Sequence, residues 1–221
     1  MKWSPRGVPL VKVSEKSLEL NVGAELLALL RNSWGAPKAY LRGLTQREER
    51  QEGVDFFVQL DPATRVFAFQ FKAPKGTADG APYRYTLRRP QHQLLFDLAV
   101  SSPGSVFYVF PYYVTTAKLH RDVPDLVKDT WLIDVAQMPT APLFGTAATK
   151  TIRCDGALAT VNPEYEMRSL REMSAPRGVS APRFALWYSR FREIAGRVQT
   201  TRHRDPWLAR GLRVAIALPE R

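Results

Sequence analysis

The sequence predicts an α/β fold in which helices flank a central mixed sheet. Three observations lead there: a helical stripe of leucines near the start, three aromatic and β-branched segments after it, and a second helix leading into a nearly continuous apolar strand. In a chain of 221 residues, 45% of them hydrophobic, this order can bury a substantial core.

The first helix is expected from Ser14 to about Asn32, because Ser14 is a good N-cap and Leu18, Val22, Leu26, Leu29 and Leu30 recur at helical spacing. Its stripe should face a sheet. Lys38–Leu44, Val54–Leu60 and Arg65–Ala73 read as strands, and Asp61-Pro62-Ala63-Thr64 closes the last two into a hairpin. Gly76–Arg89 reads as a polar loop or ragged extended segment, with Lys75 at its edge and Arg84, Arg88 and Arg89 within it. A second helix starts near Pro90 and stops at Ser101-Ser102-Pro103-Gly104. Val106–Val114 and Trp131–Val135 are further strands; the run Phe107 to Tyr113 could stack bases, but a core strand is the simpler reading.

After Pro139 the pattern changes. A hairpin is expected around Cys154-Asp155-Gly156 and a helix start at Asn162-Pro163-Glu164. The chain is therefore divided into a core, residues 1–140, and a basic helical and hairpin C-terminal extension, residues 141–221. Within that extension a Pro-containing linker, 174–182, precedes an aromatic and basic helix from about Phe184 to Gln199.

The formal net charge is +11, which points to polyanionic partners, nucleic acid first. From Ser174 onward ten arginines stand against three acidic residues, so this tail carries +7 of the excess. Arg190, Arg197, Arg202 and Arg204 are its candidate phosphate contacts, although a solvated amphipathic face would use the same residues. One cysteine, Cys154, excludes a disulfide framework and a cysteine-based zinc site within one chain. No leader-like segment and no run of 18 apolar residues is seen, so the expectation is a soluble cytoplasmic protein that does not enter a membrane. His92, His120 and His203 are too dispersed to propose a cluster or triad.

The chemistry concentrates in the hairpin. Alternation puts Ala68, Gln70 and Lys72 on one face of their strand and Phe67, Phe69 and Phe71 on the other. If Leu60 lies opposite Arg65 across the turn, Asp55 lies opposite Gln70 and on the same face. A carboxylate, an amide and an ammonium then gather at one end of the hairpin, while the phenylalanines anchor it and leave the polar face available. A plain salt bridge between Asp55 and Lys72 is the bland alternative.

These residues resemble the PD-(D/E)xK nuclease superfamily, in which an Asp at the start of one strand precedes a D/E-x-K element on the next. Here the pattern is Gly53-Val54-Asp55 followed by Gln70-Phe71-Lys72, similar to the Q-x-K variant of Mrr-like restriction endonucleases. The resemblance spans about residues 14 to 115. It implies a restriction-endonuclease-like core and Mg²⁺-dependent phosphodiester hydrolysis, with Mn²⁺ as a substitute. It further implies metal ligation by Asp55, Gln70 and the Phe71 carbonyl, and a water- or charge-managing role for Lys72. A first-helix glutamate completing the metal shell is implied too: Glu19 on the apolar stripe is preferred, with Glu25 at its margin as second choice. Gln91 and Gln93 open the second helix, where related nucleases place polar residues near the active-site edge, but a structural role is the simpler reading.

The functional expectation is a DNA nuclease of restriction, phage defence or repair. The alternatives are an inactive nuclease-fold module that binds nucleic acid or a protein partner, and a basic subunit of a larger assembly. Whether the chain acts alone, as a homodimer or inside a complex stays open.

Overall fold

A computed structural model describes residues 11–32, 36–44, 54–61, 65–101, 104–160 and 164–170. The linker and the tail arginines Arg190, Arg197, Arg202 and Arg204 lie outside the described residues. Among the described residues no helix is long and apolar enough to cross a membrane.

Helix α1 spans Glu15–Asn32. The Ser14 hydroxyl accepts from the Ser17 N–H at 3.0 Å, which satisfies one of the donors a helix start leaves open. Strands β1 (Tyr40–Gly43), β2 (Phe56–Asp61) and β3 (Arg65–Phe71) form an antiparallel meander. β4 (Tyr83–Arg88) leaves this sheet and runs directly into α2 (Arg89–Ser101). β5 (Val106–Pro111) returns parallel to β3, as a strand reached through a crossover helix should. After α3 (Thr116–Asp122), β6 (Thr130–Asp134) pairs antiparallel with β5. α4 (Thr140–Phe144) precedes β7 (Thr149–Asp155), β8 (Leu158–Thr160), β9 (Tyr165–Glu166) and β10 (Arg168–Ser169).

Two sheets result. The larger is mixed and six-stranded, ordered β1-β2-β3-β5-β6-β10; the smaller is four-stranded, ordered β4-β7-β8-β9. One face of the large sheet packs on α1, whose Leu18, Val22, Leu26 and Leu30 meet Phe56, Val58, Phe67, Phe69 and Phe71. The approach is close at Gly23, where a Cβ would lie 3.3 Å from Leu41 Cδ1 and 3.5 Å from Phe56 Cε1. On the other face Phe57, Ala68, Tyr108 and Phe110 share a core with Leu95 and Leu98 of α2 and with Tyr85, Leu87 and Ile152 of the small sheet. The expected α/β architecture, a mixed sheet flanked by helices, is thus present.

Two local expectations are corrected. Within Gly76–Arg89, read as loop or ragged extended chain, Tyr83–Arg88 is a regular strand in the small sheet, pairing with β7 in register from Tyr83↔Cys154 to Arg88↔Thr149. Of the expected helix start at Asn162-Pro163-Glu164, the first two residues lie outside the described residues; just beyond it Tyr165–Glu166 is a strand, Tyr165 pairing with Ala159 of β8, so tertiary pairing overrides the local helix signal there. Beyond Pro139, β7 completes the small sheet with β4, and β10 joins the large one beside β6. The hairpin at Cys154-Asp155-Gly156 is formed, with Gly156 at φ +51°, a left-handed conformation that favours glycine.

Candidate active site

The register of the β2/β3 hairpin decides which polar groups meet. Phe56 pairs with Phe69, Phe57 with Ala68 and Val58 with Phe67, while an irregularity between Gln59 and Asp61 brings Asp61 opposite Arg65. The bulged end differs from a Leu60–Arg65 pairing, but it leaves the other end where alternation puts it. There the Asp55 N–H donates to the Phe69 carbonyl at 3.1 Å, which sets Asp55 beside Gln70.

The Asp55 Oδ2 accepts from the Phe71 N–H at 2.6 Å and from Gln70 Nε2 at 2.8 Å. The same Gln70 nitrogen donates to the Phe71 carbonyl at 3.0 Å. Gln70 Oε1 accepts from Gln91 Nε2 at 2.9 Å, and Gln91 Oε1 accepts from the Lys72 ammonium at 3.0 Å. The result is a one-way chain of donors from Lys72 through two amides to Asp55. No direct Asp55–Lys72 ion pair within 4.0 Å is formed, so the simple salt bridge across the hairpin is replaced by this relay.

The polar face is not open as the sequence implied. Asp55, Gln70 and Lys72 are 7%, 1% and 8% exposed, because α2 and the small sheet cover that side of the hairpin. Burial pushes the Asp55 carboxyl up to about 7. The Lys72 ammonium and the Phe71 N–H oppose that rise, and the carboxylates of Glu15 and Glu19 add to it. Burial also pulls the Lys72 ammonium below the ordinary lysine range; Glu15 and Asp55 counteract this and Arg88 reinforces it.

The first-helix glutamates divide their work. Glu19 is 7% exposed and accepts from Lys16 Nζ at 2.7 and 2.9 Å, close enough to Asp55 for its charge to be felt there. Glu25, the second choice, turns elsewhere: its Oε2 accepts from the N–H groups of Leu126 and Val127 at 2.5 and 3.3 Å. Glu15 was not singled out by sequence reasoning. It sits in the first turn of α1, and its Oε2 accepts from the Ala73 N–H at 3.0 Å, next to Lys72. The available signal was spacing, since Glu15 and Glu19 stand four residues apart on one helix face.

Gln91, assigned a structural role from sequence, is the central member of the relay, whereas Gln93 is exposed and bonds Asp97 at 2.7 Å. His92 is fully buried between the Tyr108 hydroxyl at 3.1 Å and the Met138 carbonyl at 2.8 Å, and burial lowers its pKa. It is a core histidine.

Two features bear on a cation. The Gln70 amide nitrogen is bracketed by Asp55 Oδ2 and the Phe71 carbonyl, which are oxygens of the kind a hard divalent ion takes. Turning the Gln70 amide end for end would bring Oε1 to the same place, and three oxygens would then converge where an N–H₂ donor now keeps two apart. The set is poor in charge, however, and among the described residues no group of three or more His, Cys, Asp or Glu side chains could hold a metal.

No family model, curated protein or solved structure matches this chain. A functional reading therefore rests on the geometry of Asp55, Gln70, Lys72 and Gln91 and on the chemistry those groups permit.

Proposed function

We propose that the protein is a Mg²⁺-dependent nuclease, with DNA as the substrate and a restriction-endonuclease-like core. The observation that supports this reading best is the Gln70 amide held between the Asp55 carboxylate and the Phe71 carbonyl, at the end of a hairpin that also delivers Lys72. With the amide reversed, Asp55, Gln70 and the Phe71 carbonyl would supply three oxygen ligands for Mg²⁺ or Mn²⁺, with Glu19 near enough for its charge to act on Asp55. Bound there, the ion would offset charge on the scissile phosphate and acidify a water.

The chain's own groups do the rest. Lys72 presents a partly desolvated ammonium beside Asp55, where it can orient a water or counter charge gained by a phosphoryl oxygen. In the ion-free relay Gln91 fixes that ammonium through its Oε1 and holds Gln70 through its Nε2; reversing the Gln70 amide would give up the Gln91–Gln70 bond, since two N–H₂ groups would then face each other. Glu15, bonded to the Ala73 N–H, holds the segment after Lys72 against α1.

A second reading, a catalytically inactive nuclease-fold module that binds nucleic acid or a protein partner, draws on one observation: the relay satisfies its members without any ion. The two readings separate on one experiment. Supercoiled, linear and single-stranded DNA, with RNA alongside, are incubated with the protein in Mg²⁺, in Mn²⁺ and in chelator. The nuclease reading expects metal-dependent cleavage that falls at least roughly 100-fold in Asp55→Asn and Lys72→Ala, with thermal melting still cooperative. Equal cleavage by folded variants overturns the site, and absence of cleavage by the parent protein on every substrate favours the inactive module.

A further inference from the structure

The small sheet turns one face to the core and the other to solvent. Tyr83, Tyr85 and Leu87 of β4 are buried with Ile152 and Cys154 of β7 and Ala159 of β8, so the alternate positions point outward. That outward face carries an unusual row. Lys75 bridges to Arg84, Arg84 pairs with Arg153, and Arg153 pairs with Thr160.

Directly paired residues share a face, so three exposed cations stand side by side at neighbouring strand positions, roughly 4.8 Å apart. Like charges placed directly opposite are destabilising, and at about 4 Å the repulsion is about 1 kcal/mol even in water. Among the described residues no carboxylate pairs with any of the three. The next rows are Thr86 with Thr151 and then Arg88 with Thr149, short hydroxyls followed by another exposed cation.

The row has a direction. Arg88 ends β4 three residues before Gln91, whose Oε1 accepts from the Lys72 ammonium at 3.0 Å, so this end of the face adjoins the candidate active site. Of the exposed acidic side chains on the β8/β9 side, Asp155 and Glu166 are each paired with Leu158, one row beyond the cations and away from Arg88, and Glu164 stands two residues before Glu166. A polyanion laid on the sheet is therefore drawn toward Lys72 and repelled from the β8/β9 end.

We propose that the solvent face of the small sheet, from the Lys75–Arg84–Arg153 row to Arg88, is the seat of the DNA sugar-phosphate backbone and guides it to the hairpin site. The choice of DNA over other polyanions rests on the nuclease reading, because the face ends at groups suited to phosphodiester chemistry. The hydroxyls of the exposed Thr149 and Thr151 add neutral donors beside the cations, as backbone-contacting surfaces do.

The test measures binding without cleavage. A fluorescent 20-base-pair DNA duplex and its single strand are titrated with the whole chain in chelator, over 50 to 200 mM KCl. The triple variant Lys75→Gln/Arg84→Gln/Arg153→Gln is compared with a control that removes the same charge elsewhere, Lys12→Gln/Lys38→Gln/Lys128→Gln. All six side chains are exposed, so both variants are expected to fold. Each lost duplex contact removes roughly 0.9 from the slope of log K against log salt, so the sheet variant should lose about 2 to 3 and the control little.

An unchanged slope in the folded sheet variant, an equal loss in the control, or no binding of either probe by the parent protein would overturn the proposal. The two readings fail separately. Cleavage with an unaltered salt slope sinks the surface and spares the nuclease, whereas the expected slope change without metal-dependent cleavage keeps the surface on a non-catalytic module.

Discussion

Strand β3 turns Phe67, Phe69 and Phe71 toward α1, and Ala68 and Gln70, with Lys72 just beyond, toward α2. On the first side the Phe69 ring lies 5.6 Å from Phe56 and 5.7 Å from Phe107, and Phe71 lies 5.3 Å from Phe56. On the second, a chain of hydrogen bonds joins Lys72, Gln91, Gln70 and Asp55. Both sides are buried to a similar degree, yet they are held by different physics. Apolar contact is non-directional and scales with area, so it supplies stability. A buried polar chain contributes little net stability, since most of its gain replaces bonds to water, but each donor must meet its acceptor. The first side can therefore be read as the anchor and the second as the part whose geometry is specified.

The largest break in that comparison should come from Phe69→Ala. Truncation opens a cavity between α1 and the sheet and should cost about 3–5 kcal/mol of unfolding free energy in urea. A loss below about 1 kcal/mol would mean that the phenylalanine side is not the anchor.

Of the two sides of β3, a change of pH addresses only the polar one, and through Asp55 it should act with two signs. The Asp55 carboxyl is raised from 3.8 to about 7, so between those values the folded protein holds a proton that the unfolded chain has released. Stability contributed by this group thus falls as pH rises through that window, to an extent that melts of the parent protein and Asp55→Asn at pH 5 and pH 8 would reveal. Metal binding runs the other way, because the ligand must be ionised. Mg²⁺ affinity should drop about tenfold per pH unit below about 7, read by calorimetric titration. A pH-independent affinity would remove Asp55 from the ligand set.

The smallest effect is expected from Gln70→Glu, which replaces the amide by a nearly isosteric carboxylate. Mg²⁺ should bind as well or roughly three- to tenfold more tightly, because affinity follows the number of charged oxygen ligands. Complete loss of binding would show that Gln70 serves through its N–H₂ donor rather than its oxygen.

The phenylalanine side of the hairpin was legible in the sequence because its period and its register are local. A one-residue slip would turn every phenylalanine to the other face, so alternation pinned Asp55 beside Gln70 although β2 carries an irregularity between Gln59 and Asp61. The α1 stripe, its Ser14 cap and the glycine-turned β7/β8 hairpin follow from equally short-range rules. Helix α2 was placed within a residue of its start, but not the inward turn of Gln91, which depends on Gln70 and Lys72 lying across from it.

Tertiary structure alone decided the rest. β4 alternates buried and exposed positions like any strand, but its partner β7 lies more than 60 residues away, and no local signal says which segments will meet. The same distance hid the closure of the polar face, the bond from Glu15 to Ala73 and the side-by-side placement of Lys75, Arg84 and Arg153. By itself the sequence determined which side chains share a strand face or a helix face, since backbone geometry repeats every two residues or every 3.6. Which faces are then brought together depends on burying the most apolar area across the whole chain, a property that no segment carries alone.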